Sequence, residues 1–300
     1  MIYLNNKVLP KKKALISVFD HGFLYGDGIY ETLMAYKGVV FKLDEHMERL
    51  FRSASLIGLS VPKTPAALKK AVHETLRANK QKDAVIRISI SRGEGPTGLD
   101  PALCSKPTLV IMSGQFKSYP QEYYKKGVKV TIADTRRNYY RAINPKIKSL
   151  NFLNNILAKR EAIERNAYEA LMLNYRGYIA EGTISNVFFV KDSALYTPDV
   201  RVGILDGITR RVIINIAKEL KIKVTEGNFR PADLYRADEV FISNTTMEAM
   251  PVREVDNTII AISPGKVTKM IHKAYRKKVA EYINRKGSRG RGAEESSEKK

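Results

Sequence analysis

The stretch EGTISNVFFVKDSALYTPDVRVGILDGITRRVIINIAKEL (181–220) changes its hydrophobic period once, and that change decides the fold class. In its first half the apolar side chains come in short runs, Val187–Val190 and Leu195-Tyr196, bounded by turn-forming residues, which predicts strands. In its second half Ile208, Val212, Ile213, Ile216 and Leu220 recur at helical spacing, which predicts an amphipathic helix over Ile208–Leu220. Between them Leu205-Asp206-Gly207 ends an apolar run and opens the helix.

Working outward, the same mixture continues in both directions. Toward the C-terminus, Glu239–Ser243 is strand-like, and Pro264-Gly265 precedes a last helix through about Ile283. Toward the N-terminus, Ala170–Leu173 and Val128–Ala133 are strand-like, and Leu150–Arg165 is a helix. The opening residues predict a hairpin, Ile2–Leu4 and Lys7–Leu9 about Asn5-Asn6, and a second one breaks at Lys37-Gly38 within Ile29–Phe41. Helices follow from about Asp44, read as its cap, and from Pro65 to Leu76. Strands follow at Ala84–Ser91 and Pro107–Ser113. Strands and helices mixed in both halves give α+β rather than a strictly alternating parallel sheet.

Gly114–Gly127 loses periodicity and carries Pro120, so it reads as an interdomain link. The expected organisation is a smaller N-terminal domain over 1–118, a linker over 119–127, a larger domain over 128–284 and a disordered polar tail over 285–300. The 300 residues suit one large domain or two modest ones. One cysteine, Cys104, rules out an internal disulfide framework and a thiolate cluster, and four scattered histidines lack metal-ligand spacing, so no metal is expected. Charges interrupt every apolar run near the N-terminus; neither a secretory segment nor a membrane span is expected, and the cytoplasm is the default location. The net charge of +21 could announce a nucleic-acid-binding module. The basic residues are spread along the chain without interleaved aromatics, so a solvated basic surface is the expectation and nucleic acid is not an expected partner.

Four short segments could carry chemistry. Free N–H groups at the start of the helix at Ile208, with Gly207 and the Thr209 hydroxyl, suit a phosphate monoester; a helix capped by Asp206 that binds nothing would look the same. Glu181, at a strand end, could hold a heterocyclic nitrogen protonated, or could be a solvated turn residue. Ser243-Asn244-Thr245-Thr246 could present donors to an anion, or could be a plain strand exit. Lys148, between apolar neighbours in IKSLNFL (147–153), could be a desolvated amine fit for carbonyl chemistry, although lysines abound in this chain.

Taken in order, these segments resemble the class IV aminotransferases, the fold-type IV pyridoxal-phosphate enzymes that include branched-chain aminotransferase, D-amino-acid transaminase and aminodeoxychorismate lyase. The likeness runs from Tyr3 to about Ile283. It is carried by FDHGFLYGDGIYET (19–32), KLDEHMERL (42–50), SRGEGPTGLDP (91–101), KSLNFLNNILAKREA (148–162), EGTISNVFFV (181–190), LDGITR (205–210) and SNTTMEAMPV (243–252). The resemblance implies a two-domain α+β fold with pyridoxal 5′-phosphate in the cleft between domains, Tyr30 and Arg49 meeting Lys148 and Glu181 there. It implies Lys148 as the Schiff-base lysine and proton carrier, and Glu181 facing the pyridine nitrogen. It also implies Arg49, Ile208, Thr209 and Thr245 on the phosphate, Gly207 in the helix-start loop, and Leu205 against the ring. Tyr30, Thr245 and Thr246 would face the substrate. A homodimer is implied as well.

The block at 91–101 and the stretch LNYRGYIAEGTISNVFFVKD (173–192) are most similar to branched-chain aminotransferases, which implies ping-pong transfer between a branched-chain L-amino acid and a 2-oxo acid such as 2-oxoglutarate. Several positions depart from that pattern. Val85 replaces a substrate-binding tyrosine two residues before Arg87, and Phe152 replaces the tyrosine on the cofactor's 3′-oxygen, a bond phenylalanine cannot make. Arg141, seven residues before Lys148, occupies the place of the arginine that D-amino-acid transaminases use instead. The residues with which those enzymes trap the substrate carboxylate are absent, Thr97 and Leu99 standing there. D-amino-acid or (R)-amine transamination and aminodeoxychorismate lysis therefore stay open beside the branched-chain reading.

Overall fold

The computed structural model describes residues 1–297, with side chains through residue 286. The chain divides into two compact units. The first comprises residues 1–117, 148–151 and those from 276 on; the second comprises 118–147 and 152–275.

In the first unit a six-stranded sheet is built from β1 (Ile2–Leu4), β2 (Lys7–Leu9), β3 (Gly28–Tyr36), β4 (Val39–Val40), β5 (Ala84–Ser91) and β6 (Thr108–Gln115), in the order β2-β1-β6-β5-β3-β4. Both expected hairpins form. Their turns place Asn5, Asn6, Lys37 and Gly38 at positive φ, the geometry that matches the strand twist. The short helix α1 (His21–Tyr25) precedes β3, and α2 (Leu43–Leu56) and α3 (Pro65–Ala78) follow β4. α3 starts on a Thr64 cap. α2 starts one residue ahead of Asp44, on Lys42, with no side-chain cap. Alternation along β5 buries Ala84, Ile86, Ile88 and Ile90 on one face and leaves Val85, Arg87 and Ser89 half-buried on the other.

The second unit opens with α4 (Gln121–Lys126) inside the segment expected to be a bare linker. Its nine-stranded mixed sheet comprises β7 (Val128–Ile132), β8 (Glu169–Leu173), β9 (Ile179–Gly182), β10 (Asn186–Lys191), β11 (Ala194–Pro198), β12 (Val224–Gly227), β13 (Glu239–Asn244), β14 (Glu248–Val255) and β15 (Thr258–Ile259). The order is β12-β11-β10-β13-β14-β7-β8-β9, with β15 on β14. Besides α4, this unit holds α5 (Leu153–Glu164), α6 (Ile208–Glu219) and α7 (Pro231–Tyr235). Val187, Phe189, Val240, Ile242, Met250 and Val252 fill one core against the sheet.

The last helix, α8 (Lys266–Ser297), belongs to the second unit up to Tyr275 and to the first from Arg276. It runs past Ile283, so residues 285–297 are helical where low apolar content suggested disorder; residues 298–300 of that tail lie outside the described residues. Lys, Arg, Ala and Glu are good helix formers and no proline interrupts them, so a helix already nucleated on a packed segment propagates.

Candidate active site

Lys148 joins the first unit, not the second half of the chain as its sequence position suggested. Residues 148–150 lie along the start of β3: Tyr30 N donates to Lys148 O at 2.9 Å, Leu150 N to Gly28 O at 2.8 Å, and Ile29 bridges Ser149. The Lys148 N–H is held by Ser53 Oγ at 3.2 Å, from α2. With its backbone pinned on both sides, the side chain places Nζ 3.0 Å from the hydroxyl of buried Tyr30. Arg87 lies over the same Tyr30 ring, its guanidinium carbon 4.1 Å from the centroid, and donates from Nε to Ser89 Oγ at 3.2 Å. Burial pushes the Arg87 guanidinium down from its ordinary pKa, and among the described residues no carboxylate pairs with it.

Arg49 comes from α2 and is buried, held by a partner that its own stretch of sequence does not reveal. Glu31, next to Tyr30 on β3 and therefore on the other face of the sheet, accepts Arg49 Nε at 2.7 Å and Nη2 at 2.8 Å. His46, one turn earlier on α2, donates from Nδ1 to Glu31 Oε2 at 2.8 Å. Burial alone would raise the Glu31 carboxyl, but the Arg49 charge and the hydrogen bonds from Arg49 and His46 outweigh it and hold it well below the usual carboxylate range. Burial also pushes His46 below its ordinary value, against the pull of Glu31, so this contact is a hydrogen bond from a neutral imidazole.

In the second unit Glu181 is the last residue but one of β9 and is 5% exposed. Its Oε1 accepts Arg137 Nε at 2.9 Å; its Oε2 accepts the Leu205 N–H at 3.0 Å and Asn186 Nδ2 at 3.4 Å. Asn186 also donates to Leu205 O at 3.0 Å, so the carboxylate and the 205–207 loop are tied by one side chain. The structure thus brings Arg137, not Arg141, to Glu181. Arg141 sits in an exposed turn with its guanidinium 5.7 Å from the Tyr140 ring. Behind the β9–β10 turn, buried Glu169 accepts Thr183 Oγ1 at 2.5 Å, Ser185 Oγ at 3.0 Å and the Thr183 N–H at 3.2 Å, which fixes the turn after Glu181.

α6 begins at Ile208 with Gly207, rather than Asp206, as its N-cap residue, and Gly207 has no side chain to offer the first N–H groups. A Cβ on Gly207 would lie 2.1 Å from Asn186 Oδ1, so only glycine lets the helix start settle on β10. Arg210 is fully buried, donates to Pro198 O at 2.8 Å and Glu226 Oε2 at 2.5 Å, and so locks the first turn to β11 and β12. Thr209 is buried in that turn. Thr245 and Thr246 lie in the β13–β14 turn. Asn244 Oδ1 accepts the Thr246 and Met247 N–H groups, each at 2.9 Å, and the Thr246 hydroxyl at 3.1 Å, while Tyr119 lies 3.1 Å from that same hydroxyl. Thr246 is thereby committed to protein partners.

These donor sets fit a phosphorylated pyridine aldehyde. The first unit offers a primary amine fixed by its backbone beside a phenol. The second offers a carboxylate whose protein neighbours all donate to it, and a helix start whose cradle a side chain on residue 207 would fill. Arg137, Asn186, Glu31 and His46 were not singled out as site residues in the sequence. Glu31, His46 and Asn186 lie within the 19–32, 42–50 and 181–190 blocks, but nothing local distinguishes Arg137.

Comparison with known proteins agrees with this chemistry. Residues 28–255 match the family model for amino-transferase class IV. A putative branched-chain-amino-acid aminotransferase of Methanocaldococcus jannaschii is 43% identical over 276 residues, 92% of this chain and 95% of that protein. An aminodeoxychorismate lyase of Bacillus subtilis is 35% identical, over 96% of this chain and 98% of that protein. Among solved structures, the branched-chain amino acid aminotransferase of Escherichia coli superposes with a TM-score of 0.89 at 33% identity, covering 92% of this chain and 93% of that one. The match spans most of the chain, in sequence and in fold alike, and the chain belongs to the class IV aminotransferase family of pyridoxal-phosphate enzymes.

Proposed function

We propose that this enzyme transfers an amino group between a branched-chain L-amino acid and a 2-oxo acid such as 2-oxoglutarate. The observation that carries the reading is the Lys148 amine held 3.0 Å from the hydroxyl of Tyr30, whose ring also packs against the Arg87 guanidinium, a cation with no acid partner among the described residues. The open face of β3, β5 and β6 around that amine presents Thr32, Val85 and Met112, with Arg87 as its cation. An apolar surface with one fixed positive charge suits a carboxylic acid bearing a hydrocarbon side chain.

Pyridoxal phosphate, when bound, supplies an aldehyde for the amine and a ring that takes up the electrons of the substrate's Cα–H bond. The protein's part is positional. Lys148 would hold the cofactor through its amine and move the proton at the substrate Cα, with Tyr30 orienting its Nζ. Glu181, kept in place by Arg137, Asn186 and the Leu205 N–H, would face the ring nitrogen, and Leu205 would pack on the ring. Thr209, Thr245, Arg49 and the N–H groups at Gly207 and Ile208 would take the phosphate. With Phe152 unable to bond the 3′-oxygen, Arg137, which lies beside Glu181, would take that duty in place of Arg141.

The B. subtilis relative supports a second reading, release of pyruvate from aminodeoxychorismate by the same residues. A substrate screen separates the readings: purified holoenzyme is mixed with L-leucine, D-alanine or aminodeoxychorismate while the visible cofactor band and pyruvate are followed. Bleaching by L-leucine, restored by 2-oxoglutarate, is the expected outcome; pyruvate release with no response to L-leucine would establish the lyase instead. Exposed Leu15, Val18, Phe19 and Phe23 near α1, and Leu153, Ile156 and Ile163 on α5, are the apolar surfaces that a homodimer would cover. Equilibrium sedimentation at the monomer mass would rule that out.

A further inference from the structure

The β13–β14 turn is braced from outside by residues that the reaction does not use. Glu248, at its end, has φ +57°, a left-handed conformation that a side chain disfavours. Its carboxylate accepts His272 Nε2 of α8 at 2.6 Å, with both side chains largely buried. The His272 ring is itself clamped: Tyr124 of α4 stacks on it, centroids 5.0 Å apart and planes 11° from parallel. The Tyr124 hydroxyl then reaches back to the same turn and donates to Met247 O at 3.1 Å. One residue earlier, Thr246 is held by Asn244 and Tyr119. The bracing therefore covers 246, 247 and 248, and passes over Thr245.

We infer that His272 is a positioning residue for anion binding: through Glu248, and with Tyr124 behind it, it fixes the 245–248 turn so that Thr245 meets the cofactor phosphate in one orientation. The inference rests on the proposed role of Thr245. A carboxylate can only accept, so the imidazole must donate Nε2–H, and glutamine can replace that donor while leucine cannot. Without His272 the left-handed conformation of Glu248 loses this hydrogen bond and the turn is held less tightly.

The test uses apoenzyme titrated in parallel with pyridoxal 5′-phosphate and with pyridoxal, which lacks the phosphate, each followed by visible absorbance. His272→Leu should weaken pyridoxal phosphate binding by roughly tenfold, the scale of one hydrogen bond to a charged group, and leave pyridoxal affinity within about twofold. His272→Gln should restore most of the loss. Tyr124→Phe keeps the stacked ring and removes the bond to Met247 O; it should give about a threefold loss confined to the phosphorylated ligand, and it reads the same device if the leucine variant does not fold. Equal weakening of both ligands, or no change in either, overturns the inference. Failure of the unaltered protein to bind pyridoxal phosphate would instead overturn the reading of the site itself.

Discussion

Replacing Glu31 by glutamine tests whether the Arg49 guanidinium owes its place to a buried acid. Glu31 is 0% exposed and Arg49 is 3% exposed; the carboxylate takes two guanidinium N–H groups and the His46 ring. Glutamine has nearly the same shape but leaves the guanidinium charge buried and uncompensated. Breaking a buried pair in this way costs about 3–5 kcal/mol. Glutamine's one remaining carbonyl acceptor puts the expectation near the lower end, about 3 kcal/mol, or a fall of roughly 6–12 °C in Tm. The pH dependence adds a sign. The folded Glu31 carboxyl lies below its ordinary 4.5, so its stabilisation is complete above that pH and is lost as the pH falls further. His46 is likewise held below its ordinary 6.5, so the unfolded chain takes up a proton that the folded one refuses, and stability begins to fall below about 6.5. Urea unfolding of the apoenzyme between pH 4 and pH 8 (roughly the span of these two groups) should show both declines in the parent and a shallower acid decline in Glu31→Gln, where other lowered carboxyls such as Asp44 and Asp199 still contribute. A loss below about 1 kcal/mol at neutral pH, or an unchanged acid limb, would refute the argument.

Lys148→Ala should abolish bleaching of the cofactor band by any amino acid, and stopped-flow absorbance checks it; residual turnover within about tenfold of the parent would exclude this lysine as the proton carrier. Tyr30→Phe removes the hydroxyl 3.0 Å from Nζ and should lower the single-turnover rate by about one order of magnitude with little change in Tm, measured by stopped flow and calorimetry. Arg137→Met should slow half-transamination by at least about tenfold, because Glu181 loses its charged partner, whereas Arg141→Met should leave it within about twofold. The reverse ranking would return the role to Arg141.

Local structure was the most legible part of the sequence. β5 was expected and found at Ala84–Ser91, and α6 opens at Ile208 as its period indicated. β9, β12 and the short β15 were not anticipated, since the first two carry glycine and charge within their brief spans and none alternates for long. α5 shows a different limit. Its large apolar residues Leu153, Ile156 and Ile163 are exposed while Ala158 and Ala162 are buried, so periodicity named a face without telling which way it points.

The site was legible as chemistry and less so as geometry, for a reason that Lys148 and Arg137 share. Lys148 was assigned by sequence order to the second half, yet its neighbours Ser53 and Tyr30 lie 95 and 118 positions away. The bridge between Ile29 and Ser149 is a register event that no window around residue 148 records. Arg141 was chosen by counting back from the lysine for the cofactor's 3′-oxygen; it lies in the exposed turn 139–143, while Arg137 is the arginine beside Glu181. Motif order survives such displacements, because it names which groups the chemistry needs. Which amine, and which of two nearby arginines, meets those groups is fixed by strand pairing and loop excursion. The Tyr30 hydroxyl, the backbone pinned by β3 and Ser53, and the Arg87 guanidinium on the Tyr30 ring, rather than the apolar residues beside it in sequence, are what single out Lys148.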